Sequence, residues 1–106
     1  MNYLIEFDKM SWNESAKGLR TKTFMNGNQQ IRLVEFSEGF IEPDWCIKGH
    51  AGYVLDGTLI IDFNGNIERY HKGAIIFIPP GKEAKHKVII EKNGKTILLA
   101  FEIIEF

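Results

Sequence analysis

The sequence is poor in the residues that would assign it to several common classes of protein. It holds one cysteine and three prolines among 106 residues, so an intramolecular disulfide framework and a zinc site built from several cysteines are excluded. Neither sign of charge dominates, because thirteen Lys and Arg stand against fourteen Asp and Glu and leave a net charge of −1. Such a chain is a poor candidate for nucleic-acid binding, and we expect no nucleic-acid partner.

Long hydrophobic runs are also missing. The longest apolar stretches, residues 74–78 and 97–101, are far too short to span a bilayer, so we expect no membrane partner. Charges at positions 6, 8 and 9 interrupt the apolar core that a secretory signal requires. These features predict a cytoplasmic protein with a reduced thiol. The length predicts one domain over residues 1–106.

Turn signals are abundant and closely spaced. Asn and Asp tolerate positive φ and glycine adopts it freely, which favours hairpin turns. Such pairs stand at Asn26-Gly27, Asp56-Gly57, Asn64-Gly65 and Asn93-Gly94. The glycines at 57, 65, 73 and 81 recur every eight residues, and this spacing leaves room for short strands but not for helices.

The segments between these turns are rich in β-branched and aromatic residues, which favours strands. The pattern predicts an all-β antiparallel barrel or sandwich of about eight to eleven strands. We expect hairpins at Asn64-Gly65 and Asn93-Gly94. Only residues 12–17 offer a helical turn, and residues 1–25 are expected to form a strand and loop region that covers the barrel.

Two segments carry the motif of a known family. Residues 53–57 read Tyr-Val-Leu-Asp-Gly, and Gly73, Pro79 and Gly81 follow at fixed spacing. The sequence resembles the small single-domain cupins of the cupin-2 type, whose motifs are G-x5-H-x-H-x3-E-x6-G and G-x5-P-x-G-x2-H-x3-N. The resemblance implies a cupin jelly-roll barrel in which two His, one Glu and a further His hold a metal ion.

The residues at the ligand positions differ from those of the family. Aligned on the glycine frame, Asp44 and Cys46 occupy the two His positions of the first motif, and His50 occupies the Glu position. The His of the second motif falls on Ala84, with His86 two residues later, an even offset that keeps the same strand face. The ligand set that the resemblance implies is therefore Asp44, Cys46, His50 and His86.

Two interpretations of this set remain open at this point. A thiolate, two imidazoles and a carboxylate suit Zn²⁺. Alternatively the metal site has decayed, His50 is a hydrogen-bonded pocket residue, and Cys46 is a small buried hydrophobe. A Cys46–His50 nucleophile pair is a further alternative, but it lacks an orienting group unless Asp44 serves. The expected cofactor is a divalent metal, zinc by preference, or none.

The resemblance also leaves the activity open. Cupins include dioxygenases, isomerases and decarboxylases as well as proteins that only bind ligands, so we do not predict whether this chain is an enzyme. We expect a small-molecule ligand in a pocket lined by Trp45, Cys46, His50 and His86, because concave sites favour aromatic walls with few polar groups. A metal-free binding or sensor module, or a structural interaction domain, is the alternative function.

Apolar residues on both faces of the last strand suggest a partner. Residues 97–104 are apolar on both faces, and Ile60 lies opposite the face formed by Leu59, Ile61 and Phe63. Residues 3–7 could add a strand to a neighbouring sheet. We therefore predict a two-fold homodimer through strand faces or edges.

Overall fold

The computed structural model describes residues 3–104, which form nine strands and two short 3-10 turns, at Phe7–Lys9 and Lys82–Ala84. The strands are β1 (Asn13–Ala16), β2 (Leu19–Asn26), β3 (Gln29–Ser37), β4 (His50–Asp56), β5 (Thr58–Phe63), β6 (Asn66–His71), β7 (Ile75–Ile78), β8 (Lys87–Ile89) and β9 (Lys95–Ile103).

These strands form two antiparallel sheets. The larger has the order β1-β2-β3-β9-β4-β7, and the smaller has the order β6-β5-β8. The sheets pack against each other, because apolar side chains from both meet in a single buried cluster. That cluster contains Val34, Phe36, Val54, Leu59, Ile61, Ile76, Ile78, Leu98 and Ala100. The predicted all-β antiparallel architecture is confirmed.

One of the two expected hairpins forms and the other does not. Asn64 and Gly65, at φ 56° and 103°, join β5 to its neighbour β6. Asn93 also has a positive φ of 61°, but its turn connects β8 to β9, which lie in different sheets. The hairpin predicted there is wrong, because positive φ specifies a chain reversal and not which strands then pair.

The N-terminal region also departs from expectation. Residues 13–16 form β1, paired with β2, so the helical turn that residues 12–17 could have held does not form. Residues 13–25 are thus part of the large sheet itself. Residues 3–6 are not a strand. Lys22 ties this segment to the sheet, since its Nζ donates to the Phe7 carbonyl at 2.7 Å and lies 4.7 Å from the Trp12 ring centroid.

Within residues 3–104, no helix has the length and apolar character needed to cross a membrane.

Alternation along β4 and β9 positions the site. Even-numbered residues face the smaller sheet along β9 and, in β4, from His50 to the bulge after Val54, and Val54 and Leu98 belong to the buried cluster. The antiparallel register pairs Ala51 with Phe101, and it therefore sets His50 at the start of β4 beside Glu102 near the end of β9.

Candidate metal centre

Three side chains converge where β4 begins. One ligand atom from each of Cys46, His50 and His86 lies within 4.8 Å of the others. The Cys46 Sγ is 3.6 Å from His50 Nε2, and the Nε2 atoms of the two histidines are 3.1 Å apart. The structure thus brings together three of the four metal ligands expected from the sequence.

Backbone hydrogen bonds hold these side chains in place. Cys46 and His86 form an isolated antiparallel bridge, in which the Cys46 amide donates to the His86 carbonyl at 2.8 Å and the reverse bond is 3.0 Å. Gly49 lets the chain enter β4 beside Pro80, because a Cβ at position 49 would lie 2.9 Å from the Pro80 nitrogen. The site therefore rests on close backbone packing as well as on side-chain type.

A fourth polar residue, Glu102, was missed by the sequence reasoning. Its Oε1 lies 3.1 Å from His50 Nδ1, its side chain is buried, and the Arg32 guanidinium pairs with the same oxygen. Gln30 Nε2 donates to the other carboxylate oxygen at 3.3 Å. A signal was present, because Glu102 shares an inward face with Leu98 and Ala100, where a charged residue needs a partner.

The acceptors around the imidazoles decide where their protons lie. His86 Nδ1 lies 2.9 Å from the Ala84 carbonyl, and a carbonyl only accepts, so this nitrogen carries hydrogen. His50 Nδ1 donates to the Glu102 carboxylate for the same reason. Each neutral ring then presents an Nε2 lone pair to the other. Two lone pairs at 3.1 Å beside a sulfur repel each other unless a proton or metal ion lies among them.

The pKa values follow from this arrangement. Burial lowers the pKa of His50, but hydrogen bonds with Cys46 and Glu102 outweigh burial and raise that pKa to about 9. Burial likewise lowers the pKa of His86, yet the hydrogen bond with Cys46 and a backbone carbonyl leave it raised. Hydrogen bonds from both histidines lower the pKa of Cys46 to about 6. A thiolate therefore lies beside an imidazolium at neutral pH, and a proton supplies the positive charge.

The carboxylate stays ionised in this setting. Burial raises the pKa of Glu102, but the hydrogen bond from His50 and the charge of Arg32 prevail and lower it to about 2. An ionised carboxylate fixes the ring orientation of His50 and increases its basicity.

The other two predicted site residues, Asp44 and Trp45, are not members of this cluster. Asp44 is exposed and is not among the three residues whose ligand atoms meet. Positions 44, 46 and 50 do not belong to one continuous strand, because Cys46 forms only an isolated bridge and β4 begins at His50. Trp45 is half-buried, and its ring lies against the ammonium groups of Lys85 and Lys87, 5.2 and 4.8 Å from the ring centroid.

A groove opens beside the cluster. Its volume is about 840 Å³, within the range of small-molecule sites. His50, Glu102 and Gln30 supply polar groups, and most of the remaining wall is apolar, including Ile47 and Phe101. This arrangement, apolar with a few convergent polar groups, is typical of ligand pockets.

The chain resembles solved cupin structures in fold. No family model and no curated protein sequence matches it. The polyketide cyclase RemF from Streptomyces resistomycificus superposes with a TM-score of 0.82 at 20% identity, covering 99% of this chain and 81% of RemF. KdgF from a Halomonas species gives 0.76 at 16% identity, covering 99% and 96%.

A third similar structure bears the family description. It is a Cupin 2 conserved barrel domain protein from Salinispora arenicola, with a TM-score of 0.67 at 13% identity, covering 95% of this chain and 87% of that one. The chain therefore has the fold of a small single-domain cupin, and the resemblance predicted from the sequence is confirmed at the level of the fold.

Proposed function

We propose that this chain is a metal-binding cupin barrel that holds one divalent ion, best matched by zinc, through Cys46, His50 and His86. A small molecule would bind in the adjoining groove. The observation that carries the proposal is the 3.1 Å distance between the Nε2 atoms of His50 and His86. The Nδ1 atom of each ring already donates a hydrogen bond, to Glu102 and to the Ala84 carbonyl respectively. A cation shared by these atoms and the thiolate removes their mutual repulsion.

The donor set fits zinc. Tetrahedral Zn²⁺ with bonds of about 2.0 to 2.3 Å separates its ligand atoms by roughly 3.3 to 3.8 Å. The Cys46–His50 separation of 3.6 Å lies in that range, and the 3.1 Å between the two histidines is slightly shorter. Thiolate and imidazole are ligands that zinc accepts and that magnesium and calcium avoid.

Neighbouring groups would tune these ligands. Glu102 and the Ala84 carbonyl hold the two histidines in the tautomer whose Nε2 faces the site, the arrangement seen around zinc-ligating histidines. A zinc ion on three protein ligands supplies Lewis-acid polarisation and one open coordination position. The groove, which reaches His50, would place a ligand against that position. The reduced thiolate that this site needs is consistent with a cytoplasmic location.

Elemental analysis of the purified protein tests the proposal. Wild type should retain about one zinc per chain, and His50→Ala should retain none because a ligand is lost. His71→Ala is the matched control, since His71 is exposed on β6 and hydrogen-bonds Thr58 outside the cluster. Wild-type protein that retains no divalent metal, and binds none when zinc is added, overturns the proposal.

A metal-free binding or sensor module is the second candidate function. It is favoured by the raised pKa of His50, which leaves a proton to share with Cys46, and by a groove whose lining is mostly apolar. The two candidates differ in their response to a chelator. Ligand that stays bound after chelator treatment supports the metal-free module, whereas ligand released together with zinc supports the metal centre.

A further inference from the structure

Cys46 and His50 form a nucleophile–base pair that, in the sequence, lacked an orienting group. The structure supplies that group in Glu102. The Cys46 Sγ lies 3.6 Å from His50 Nε2, and His50 Nδ1 donates to Glu102 Oε1 at 3.1 Å. A thiol, an imidazole and a carboxylate linked in this order form the arrangement that activates a cysteine nucleophile.

The carboxylate of this triad is held in one orientation by its neighbours. Glu102 is 8% exposed, and Arg32 pairs with the same oxygen that accepts from His50. Gln30 Nε2 donates to the other carboxylate oxygen at 3.3 Å. Glu102 therefore fixes the His50 ring with Nε2 directed toward the sulfur. Asp44, the orienting group that the sequence offered, is exposed and lies outside the cluster.

A second imidazole lies beside the nitrogen that serves as the base. His86 Nε2 is 3.1 Å from His50 Nε2, and the two rings meet edge to face. Because His86 Nδ1 donates to the Ala84 carbonyl, the Nε2 of this ring is free to accept a proton from His50 and to return it. The proton that leaves the sulfur thus has two acceptors.

The segment between Cys46 and His50 brings a hydrogen-bond donor to the sulfur. The Lys48 backbone amide hydrogen-bonds to the Cys46 sulfur. When a thiol attacks a carbonyl group, negative charge develops on the carbonyl oxygen, and an amide beside the attacking atom is the kind of donor that stabilises this charge. The Lys48 side chain is exposed next to the same segment and adds a positive charge there.

The groove gives an apolar molecule access to this sulfur. Ile47, Lys48 and Gly49, the three residues between Cys46 and His50, line the groove together with His50. Cys46 is half-buried, so the fold does not enclose its side chain. A volume of about 840 Å³ and a mostly apolar wall suit an apolar acyl group better than a charged one.

We infer that the metal-free chain is a cysteine esterase, in which Cys46 attacks the carbonyl carbon of an ester with an apolar acyl group, His50 carries the proton and Glu102 positions His50. This activity goes beyond the metal centre and does not depend on it. It belongs to the chain without zinc, because a zinc ion on Cys46 and His50 would occupy the same sulfur and nitrogen atoms.

The reaction takes two steps. In the first, the Cys46 sulfur bonds to the acyl carbon, the bond from that carbon to the alcohol oxygen breaks, and the proton shared by the sulfur and His50 Nε2 passes to the leaving oxygen. In the second, a water oxygen bonds to the acyl carbon, one water proton passes to His50 Nε2, and the sulfur leaves. One ester and one water thereby give one carboxylic acid and one alcohol, and the shared proton is restored.

Hydrolysis of p-nitrophenyl butyrate by chelator-treated protein tests the triad. Wild type should release p-nitrophenol over many turnovers, and Cys46→Ser should release it no faster than buffer. His50→Ala should lose about a hundredfold or more of kcat/KM, because a general base typically contributes that much. His71→Ala is the matched control and should hydrolyse the ester as wild type does, since His71 is exposed and bonds Thr58 outside the cluster.

Labelling of the wild type tests the nucleophile without a variant. Cys46 is the only cysteine in the chain, so one iodoacetamide-derived group per chain should abolish hydrolysis. Peptide mass spectrometry of protein quenched during turnover should find the butyryl group on Cys46. Wild-type hydrolysis no faster than buffer, or a butyryl group on lysine instead of Cys46, overturns the inference.

Glu102 acts only through His50, so its role is tested by the pH profile. In Glu102→Gln, kcat/KM should reach half of its maximum at a higher pH than in wild type, because an uncharged amide stabilises the protonated imidazole less. A merely structural change would lower the rate without moving that pH. Glu68→Gln, at an exposed position on β6, should keep the wild-type profile. An unmoved profile in Glu102→Gln overturns the positioning role.

The length of the acyl chain tests the substrate class. The butyryl ester has two more methylenes than p-nitrophenyl acetate, and their burial in an apolar groove should raise kcat/KM roughly tenfold. Equal values for the two esters overturn the assignment of an apolar acyl group.

Added zinc separates this activity from the metal centre. Zinc bound at one ion per chain should stop hydrolysis, and hydrolysis that continues with that zinc in place overturns the triad. A chain that hydrolyses the ester through Cys46 and binds no zinc supports the triad and overturns only the metal centre.

Discussion

The two ends of the barrel interior are made by the same strands and have opposite chemistry. Along β4 the inward face runs from His50 to Val54, and along β9 it runs from Glu102 to Leu98. Side-chain alternation is the same at both ends, so the difference lies only in residue type. At the apolar end, full burial of each large side chain contributes about 1.5 to 3 kcal/mol to stability.

The polar end contributes less to stability and more to chemistry. Its charged groups are satisfied mainly by one another, as in the pairing of Arg32 with Glu102 and of Glu102 with His50. Buried polar groups of this kind are weak contributors to net stability but are strongly coupled. We therefore expect substitutions at the apolar end to change the free energy of unfolding, and those at the polar end to change metal affinity.

The largest effect should come from Leu98→Ala. Removing this buried side chain leaves a cavity, so the free energy of unfolding should fall by about 2 to 5 kcal/mol. The zinc content per folded chain should stay unchanged. Urea denaturation at one protein concentration measures the loss, with the exposed Ile67→Ala as control. Zinc loss from folded Leu98→Ala protein would show that the two ends are not separable.

A smaller effect should come from Glu102→Gln on the same strand. The amide keeps the shape of the side chain but removes the charge that orients His50, so zinc affinity should fall about 10- to 100-fold. Competition with a chromophoric chelator measures it. Glu68→Gln on β6, an exposed glutamate that accepts a bond from Asn66, should bind zinc as wild type does. Unchanged zinc affinity in Glu102→Gln would show that the Glu102 carboxylate does not contribute to zinc binding.

The pH dependence of zinc binding should follow from the shifted pKa values of the three ligands. His50 holds its proton up to a pKa of about 9, whereas Cys46 is already a thiolate above a pKa of about 6. Zinc must displace the His50 proton and, where the raised pKa of His86 leaves that ring protonated, the His86 proton as well. Affinity should therefore rise at least about tenfold per pH unit between these values. Below the lower pKa the thiol must also lose its proton, and affinity should fall more steeply.

Calorimetry checks this expectation directly. Titration with zinc in buffers of different ionisation enthalpy reports the number of protons released, and at least about one is expected at pH 7 because both histidine pKa values are raised. Affinity that does not change between pH 6 and 9 would contradict the thiolate–imidazolium pair.

The smallest effect should come from Asp44→Asn. Asp44 is exposed and outside the cluster, and surface substitutions of this kind usually change free energies by less than about 0.5 kcal/mol. Zinc affinity should therefore stay within about twofold of wild type, by the conversion of that energy. A larger loss of zinc affinity, measured by the same chelator competition, would indicate that Asp44 is the fourth ligand.

Local sequence determined most of the strands, several turns and two members of the cluster, Cys46 and His50. Positive φ at Asn64 and Gly65 is a steric preference of those residues and their neighbours, so it can be predicted without knowing the fold. The glycine and proline frame around Gly73 and Pro79 carried the family resemblance that implied the cupin barrel. Cys46 and His50 lie only four residues apart, so the short length of chain between them already keeps their side chains close.

The tertiary structure alone decided which residues complete the site. Glu102 stands 52 positions after His50, and only the pairing of β9 with β4 brings them together. Asp44 occupies a ligand position in the motif, but the chain there is not in a strand and leaves it in solvent. Turn preference depends on a few neighbouring atoms, so it can be predicted from the local sequence. Strand pairing depends on the burial of the whole apolar pattern, so only the tertiary structure shows which distant residues meet.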